Sequence, residues 1–579
     1  MSTSKHFDKI VAVVLVLGLL LTVGFINGEA LGIEKIVDED AESYEATAYF
    51  TANDLKSTWD ASQVTATIAL NGDSATVSGN GAYYNDGSVV ITGAGYYVVS
   101  GTLTDGNIVV DAYDSSKVFV ILSGADITCS DDACLRVENA EKVFLLLAEG
   151  TENRMESGET YSQTALDDNT GGAIFAHDDL TINGSGSLTI TGVYKHGIDA
   201  NDDLVITGGA IRIEAPEDGV HVNDSFRFRE ANLTIDVGDD GIHSDTSVYI
   251  ESGTLLISGC YEGIEALTIE VAGGNVMIYP EDDGFNANGG SGGMLGGWDG
   301  MGGPGGHGGR GGSGAADDSE GFAGRPDSEF GQFDGERPER PTEGEMPDFG
   351  PADGERPEMP ENGELPDAEE RNAPDGGDEE ETWIRITGGN IMIINRTGRD
   401  TDGLDSNGSI YIEGGTVLVS VPGSGSNNAI DYGSENGGVA EISGGTIIAC
   451  GASQMAESFD AASTQPSIFY NLSSAAEEGT AVTLQDADGS ELLSWNVPCS
   501  FTSIILSSPD LTLGETYRLV IGGTAEEITL EEVSASYGET QSGGFGGGMN
   551  WGGHGGPGGG TGGPGRRAAG TETEEEDIP

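Results

Sequence analysis

An acidic residue, then glycine, then a large apolar residue recurs through the middle of this chain: Asp218-Gly219-Val220, Asp240-Gly241-Ile242, Glu262-Gly263-Ile264 and Asp283-Gly284-Phe285, preceded by His196-Gly197-Ile198. The glycines stand 22, 22, 22 and 21 residues apart, a period in the range of stacked repeats. In a parallel stack, equivalent positions of successive coils lie ~4.8 Å apart. Aligned on the glycine, Asp218, Asp240, Glu262 and Asp283 form one column, continued by Asp402; Asp199, His221, His243, Glu265, Asn286 and Asp405 form another. Carboxylates at that spacing repel one another and hold their protons too tightly unless something neutralises them. Lys and Arg are nearly absent from these columns, so the sequence offers no internal counter-charge.

A hard divalent ion supplies one. Ca²⁺ takes six to eight oxygens from Asp, Glu, Asn and backbone carbonyls in flexible geometry. The expected metal ligands are Asp199, Asp202, Asp203, Asp218, Asp239, Asp240, Asp245, Glu262, Asp282 and Asp283. Asp-Gly and Asn also suit tight turns, but turn chemistry does not require two consecutive acids at 239–240 and again at 282–283. His196, His221 and His243 would suit a transition metal; among so many carboxylates they read better as stacked turn residues.

The elements that position these columns follow from the residues between them. Leu204, Ile206, Ile211 and Ile213, then Phe226, Phe228, Leu233 and Ile235, then Val248, Ile250, Leu255 and Ile257 alternate with polar residues, the period of half-buried strands. No room is left for a long helix in each repeat, and a 22-residue coil buries its apolar row only by stacking on the next. The expected fold is all-β: a right-handed parallel β-helix of ~22-residue coils with a small antiparallel β module near the C-terminus.

Of 579 residues, 1–30 read as a signal peptide, with Lys5 and Lys9 before an apolar run over 10–26 and cleavage before Leu31; an uncleaved anchor is the alternative. Residues 31–79 read as an N-terminal cap, 80–288 as the first part of the β-helix and 383–464 as its last coils, because strand alternation resumes at Trp383. Between them, 289–382 is glycine-rich and then Pro- and acid-rich, a composition that cannot bury enough apolar surface to order. Residues 465–535 read as the β module and 536–579 as another unstructured tract.

The charge is extreme, 24 Lys plus Arg against 98 Asp plus Glu, and a field of that sign repels nucleic acid and anionic lipid. The expected localisation is secreted or at the cell surface, as a monomer, with no lipid contact beyond an N-terminal anchor. Five cysteines leave one odd; Cys129 and Cys134 either bridge or stay as buried thiols. On the strand after the turn, the outward row runs Val205, Arg227, Tyr249, Thr268, Arg385, Tyr411, and Arg227, Tyr249, Arg385 and Tyr411 are the expected carbohydrate contacts, since rings stack on sugars and guanidinium pairs with carboxylate. A later outward stripe, Thr234, Leu256, Met277, Met392, Leu418 and Ile448, needs a cover, expected from the C-terminal module or a partner.

The runs at 101–111 (GTLTDGNIVVD), 147–153 (LAEGTEN) and 178–188 (DDLTINGSGSL), with the Asp-Gly-Ile coils, resemble the secreted carbohydrate-binding domain-containing β-helix family. The resemblance implies binding of plant cell-wall polysaccharide, cellulosic or polygalacturonate, in association with Ca²⁺. It also implies a fold similar to β-helix pectate lyases, which use a Lys or Arg base beside the metal. Lys195 is the candidate base for that alternative, a calcium-dependent polyuronate lyase, and a structural surface adhesin is the third reading; the binding module is preferred because a single cation supports the lyase.

Overall fold

The computed structural model describes residues 49–288, 382–398, 401–454 and 456–538. The expected signal peptide at 1–30, almost all of the 289–382 insertion and the tail beyond 538 lie outside the described residues.

Nearly all regular structure is β. One large sheet carries most strands, and almost every pairing in it is parallel. Three ladders run through it. The first joins Gly172–Ala176, His196–Ala200, Val220–Val222, the start of Ile242–Ile250 and the start of Ile264–Val271. Ile198 faces Val220, which faces Ile242, which faces Ile264, so the recurring glycine motif is a register mark. The second ladder follows at once, with Leu204, Phe226, Val248, Ile269, Ile384 and Ile410 in line. The third brings Ile211, Leu233, Leu255, Val276, Ile391 and Val417 together. These residues are inward and almost inaccessible to solvent, and stacking of like rows is how a solenoid builds a core from coils too short to fold alone.

The glycine of each motif is a packing requirement. A Cβ on Gly263 would lie 2.2 Å from the carbonyl oxygen of Gly284 and 2.6 Å from Ile278. The coils touch there through backbone, and each glycine N–H bonds the carbonyl of the acidic residue one coil on, Gly219 to Asp240 at 2.9 Å and Gly241 to Glu262 at 2.9 Å.

Phe285–Ala287 and Trp383–Ile386 both pair with the single strand Ile264–Val271. The chain on either side of the long insertion therefore lies against one and the same strand. At the C-terminal end, Phe501–Ser507 pairs antiparallel to Ala440–Gly451 and Ser467–Ala476, extending the large sheet, while Glu491–Asn496, Ala481–Gln485, Thr516–Ile521 and Thr524–Thr529 make a separate four-stranded antiparallel sheet. Ile448 is buried in the core this region forms, with Leu418 packed against it. That covers the end of the apolar stripe; Leu256, Met277 and Met392 stay half-buried.

One segment has no counterpart in the repeats. Residues 49–63 lie along the second ladder's outer face. Asp54 anchors them: its carboxylate, fully buried, meets Lys142 Nζ at 3.0 Å and accepts from Thr181 Oγ1 at 2.7 Å, while its carbonyl accepts from Asn183 and Thr207. Phe50 is buried at one end, and Trp59 packs on the Phe119–Phe144 cluster at the other. All five cysteines are buried thiols, with no disulfide between Cys129 and Cys134.

Candidate functional site

The first ladder's turn carries the acidic columns, and side chains tie one coil to the next along it. Asp218 Oδ1 accepts the Asp240 N–H at 3.1 Å, Asp283 Oδ1 the Asp402 N–H at 2.7 Å, and Asp402 Oδ1 the Asn428 N–H at 2.6 Å. One oxygen of each of these acids is thus spent on backbone. Asp199, Asp218, Asp240 and Asp283 are buried.

The ladder is not uniform. Near its start the column of Asp199 and His221 carries Arg136, in line with Phe175 and hence Asp199, and that buried guanidinium meets Asp132 at 3.0 Å and also Glu138 and Asp168. Next, Asp218 Oδ2 lies 3.1 Å from His196 Nδ1 and 2.9 Å from His221 Nδ1. Burial opposes ionisation of Asp218, but hydrogen bonds from the two imidazoles win and hold its carboxyl well below the usual range. One coil further, His243 Nδ1 is 2.7 Å from Glu265 and 3.5 Å from Asp240, and its Nε2 is 3.2 Å from Asp245. Burial disfavours its charge, yet these carboxylates raise its pKa to about 11. The same contacts pull Glu265 down, while burial keeps Asp240 up. Arg136 and His243 are the internal counter-charges in columns otherwise nearly free of Lys and Arg.

Beyond His243 the ladder is all oxygen. Glu262 is pushed up to about 7 by burial and by Glu265, and Asp283 to about 9 by burial and by Asp405 and Asp402. Asp402, Asp405 and Asp431 bring carboxylate oxygens within 4.8 Å of one another. Beside them Asn428 Oδ1 and Thr401 Oγ1 are buried with no hydrogen-bond partner.

The expected ligands therefore divide. Asp218, Asp239 and Asp240 converge, and Glu262 and Asp283 flank the oxygen-rich end. Asp282 sits beside the Tyr261 hydroxyl, whose proton it helps to retain. Asp199 accepts the Gly171 N–H at 2.8 Å, Asp245 serves His243, and Asp203 is taken by Arg227 and by Ser225 Oγ at 2.6 Å. Burial, then Asp179 and Asp224, raise Asp202. Asp402 and Asp405 stand in the columns that spacing aligns but outside the expected ligands; Asp431, which faces Asp405, and Asn428 join the set only in the structure.

The outward row of the second ladder needs one correction. An irregularity between Ser244 and Ser247 puts Glu270, not Thr268, beside Tyr249, and the row reads Val205, Arg227, Tyr249, Glu270, Arg385, Tyr411. Its first half is covered by the chain itself. Tyr49 stacks on Tyr249 at 3.7 Å and 15°, and the Tyr49 carbonyl accepts from Arg227 Nη1 at 3.0 Å. Its second half is part-exposed among the described residues: the Arg385 guanidinium lies 5.4 Å from the Trp383 ring and 4.9 Å from the Tyr411 ring, steadied by Glu413 at 3.1 Å. Trp383 was missed because strand alternation marks it only as the first residue of its strand. Lys195 is half-exposed, 6.0 Å from the Tyr194 ring and 3.8 Å from Glu217.

A parallel β-solenoid with a turn-borne acidic ladder and an aromatic-guanidinium row is the class these features define. Residues 85–309 match the family model described as carbohydrate-binding domain-containing protein. A carbohydrate-binding domain-containing protein of Acetivibrio thermocellus is 37% identical over 137 residues, 24% of this chain and 48% of that protein, so the chain spans about half the length of this curated relative. A solved polysaccharide lyase-like protein from C. thermocellum, as its gadolinium derivative, aligns at 29% identity with a TM-score of 0.33 over 39% of this chain and 88% of its own. The sequence matches agree with the resemblance read from the 101–111 and 178–188 runs.

Proposed function

We propose that this chain is a secreted or surface-held carbohydrate-binding protein that takes acidic or cellulosic polysaccharide of the plant cell-wall type in a calcium-dependent manner. In this reading the solenoid is right-handed, as parallel strand-crossover-strand connections overwhelmingly are, with coils of about 22 residues. The observation that carries the reading is the match of residues 85–309 to carbohydrate-binding domain-containing proteins.

The residues fit calcium at the oxygen-rich end of the ladder. Asp402, Asp405 and Asp431 offer convergent carboxylates, and the unsatisfied Asn428 Oδ1 is a neutral oxygen of the kind Ca²⁺ takes readily. Glu262, Asp282 and Asp283 extend the set. Bound there, Ca²⁺ supplies positive charge and open coordination positions to an anionic sugar. The protein's own part is to hold carboxylates at fixed spacing on one side, and that resolves the conflict between a net charge of -74 and an acidic ligand. Trp383, Arg385 and Tyr411 then offer two ring faces and a guanidinium to a sugar chain lying across the coils.

The test is calorimetric titration of the chelator-stripped protein with Ca²⁺, alone and with polygalacturonate, while absorbance of the same mixture reports unsaturated uronide. Saturable calcium binding and calcium-dependent glycan binding without an absorbance rise support the proposal. Calcium uptake no tighter than that of a generic polyanion, or glycan affinity indifferent to chelator, refutes it, and an absorbance rise lost in Lys195→Ala would replace it with the lyase.

A further inference from the structure

The outward row of the second ladder extends back beyond Val205. Tyr96 faces Phe119, Phe119 faces Phe144, Phe144 faces Thr181 and Thr181 faces Val205, so one line of side chains runs from Tyr96 to Tyr411. Residues 49–59 cross it from coil to coil. Trp59 packs on Phe119 and Phe144, Lys56 Nζ lies 3.2 Å from the Tyr96 hydroxyl, and Asp54 meets Lys142 and Thr181. Phe50 lies beside Tyr249 and Arg229, and Tyr49 ends on Tyr249, its hydroxyl donating to Glu270 at 3.3 Å. We infer that Tyr49 is a built-in competitor for polysaccharide: it fills a sugar subsite formed by Arg227 and Tyr249, which a bound glycan takes over by displacing it. The inference rests on the carbohydrate-binding reading and extends the site of Trp383, Arg385 and Tyr411 across Glu270 to these two residues.

Tyr49 offers this stretch what a sugar would offer. Its ring lies on the Tyr249 ring, centroids 3.7 Å apart and planes 15° from parallel, and an aromatic face is apolar surface of the kind a sugar ring covers. Its carbonyl accepts from Arg227 Nη1 at 3.0 Å, a donor that equally suits a sugar hydroxyl or carboxylate oxygen. Arg227 is held independently of that bond, since Nε donates to Ser225 Oγ at 3.1 Å and Nη2 is paired with Asp203. Withdrawal of Tyr49 therefore leaves an oriented guanidinium with one donor position vacated and an aromatic face bared on the neighbouring coil.

The crossing segment is held unevenly, and its loose part is the one over the subsite. Asp54 is fully buried, with partners on its carboxylate and on its carbonyl, and Phe50 is buried as well. Tyr49 is 39% exposed, and its bond to Glu270 is longer than a good O–H···O contact. Tyr49 can thus swing away while Phe50 and Asp54 stay docked, and displacement costs one ring stack and two hydrogen bonds. Charge favours the incoming ligand. Tyr49 brings a neutral oxygen to Arg227, whereas an acidic sugar brings a carboxylate, which a guanidinium pairs with more strongly.

The test is calorimetric titration of the full-length chain with polygalacturonate in saturating Ca²⁺, comparing wild type, Tyr49→Ala, and Tyr49→Ala combined with Tyr249→Ala. Losing the competing stack is expected to tighten binding roughly twofold to tenfold, and adding Tyr249→Ala is expected to abolish that gain. In the wild type, the Tyr49 ring resonances, displaced by the ring current of Tyr249, are expected to move to exposed-tyrosine values as glycan saturates. Glycan binding that is unchanged in Tyr49→Ala, or ring resonances unmoved at saturation, overturns the inference and leaves the carbohydrate reading standing. Weaker binding in Tyr49→Ala also overturns it, by making Tyr49 itself a glycan contact, and a gain that survives in the double variant rules out Tyr249 as the uncovered face. Absence of binding in the wild type and both variants refutes the carbohydrate reading and the inference together.

Discussion

Replacing Asp54 by alanine is expected to free the 49–63 segment from the solenoid while leaving the coils folded. Asp54 is fully buried and Lys142 nearly so, with Nζ 3.0 Å from the carboxylate. Breaking a buried pair by removing one partner costs about 3–5 kcal/mol, because an uncompensated charge is left behind. Here Asp179, 3.5 Å from the same nitrogen and about a third exposed, stays as a substitute, which places the cost near the lower bound, at about 3 kcal/mol. At 1.4 kcal/mol per tenfold, the population with this segment undocked rises roughly a hundredfold. Hydrogen exchange at the Leu55 amide, which donates to the Thr51 carbonyl at 3.3 Å and keeps its acceptor in the variant, reads that change, and Trp59 fluorescence reads it optically. Asp54→Leu with Lys142→Met removes both charges and should recover most of the protection, since a buried pair often adds little over apolar residues of like size. Unaltered exchange in Asp54→Ala, or a double variant as exposed as the single, would refute the view that this ion pair docks the segment. Undocking also bares Tyr249 and Arg227, so glycan affinity measured on the same variant reports whether Tyr49 occupies part of the binding row.

Stability of the calcium-free protein should fall as pH rises from about 4.5 through 9. Glu262 and Asp283 have folded pKa values above their unfolded ones, so their contribution is complete below the ordinary carboxylate range and is lost as pH passes about 7 and then about 9; for Glu262 this is on the order of 3 kcal/mol, and denaturant midpoints with and without Ca²⁺ should show the decline only in its absence. Asp218 runs the other way, its stabilisation present above its unfolded pKa and lost as acid protonates it, so a midpoint that keeps rising as pH drops below 3 would contradict the His196 and His221 bonds. Gly263→Ala should destabilise the solenoid by about 1–3 kcal/mol, the cost of overpacking, because its Cβ meets backbone of the next coil at 2.2 Å; a thermal midpoint equal to wild type would refute the close approach. Trp383→Ala and Arg385→Ala should each weaken glycan binding by about 1–2 kcal/mol, the scale of exposed aromatic and guanidinium anchors, whereas Tyr83→Ala, at an exposed tyrosine away from the row, should not change it.

What the sequence made legible was whatever the period of 22 forces. Backbone contact at each Asp-Gly step demands glycine, and the same step fixes register, so the columns of Asp218, Asp240, Glu262, Asp283 and Asp402 could be aligned by spacing alone. Legibility failed where the period is locally broken: the irregularity between Ser244 and Ser247 shortens the spacing from 22 to 21, so Tyr249 faces Glu270 while Thr268 faces Ser247. It failed again for the 49–63 segment, whose Tyr49, Phe50, Asp54 and Trp59 follow no repeat and pack on residues up to 221 positions away, a relation that spacing cannot reveal. The ladder's charge was misjudged for a different reason. A histidine's protonation depends on what surrounds it, and only the folded coils show His243 held among three carboxylates while His196 and His221 share one. Residue type marks a row of acids with occasional histidines; three-dimensional placement divides that row into a guanidinium-capped start, a nitrogen-oxygen set, an internal ion pair and an all-oxygen end.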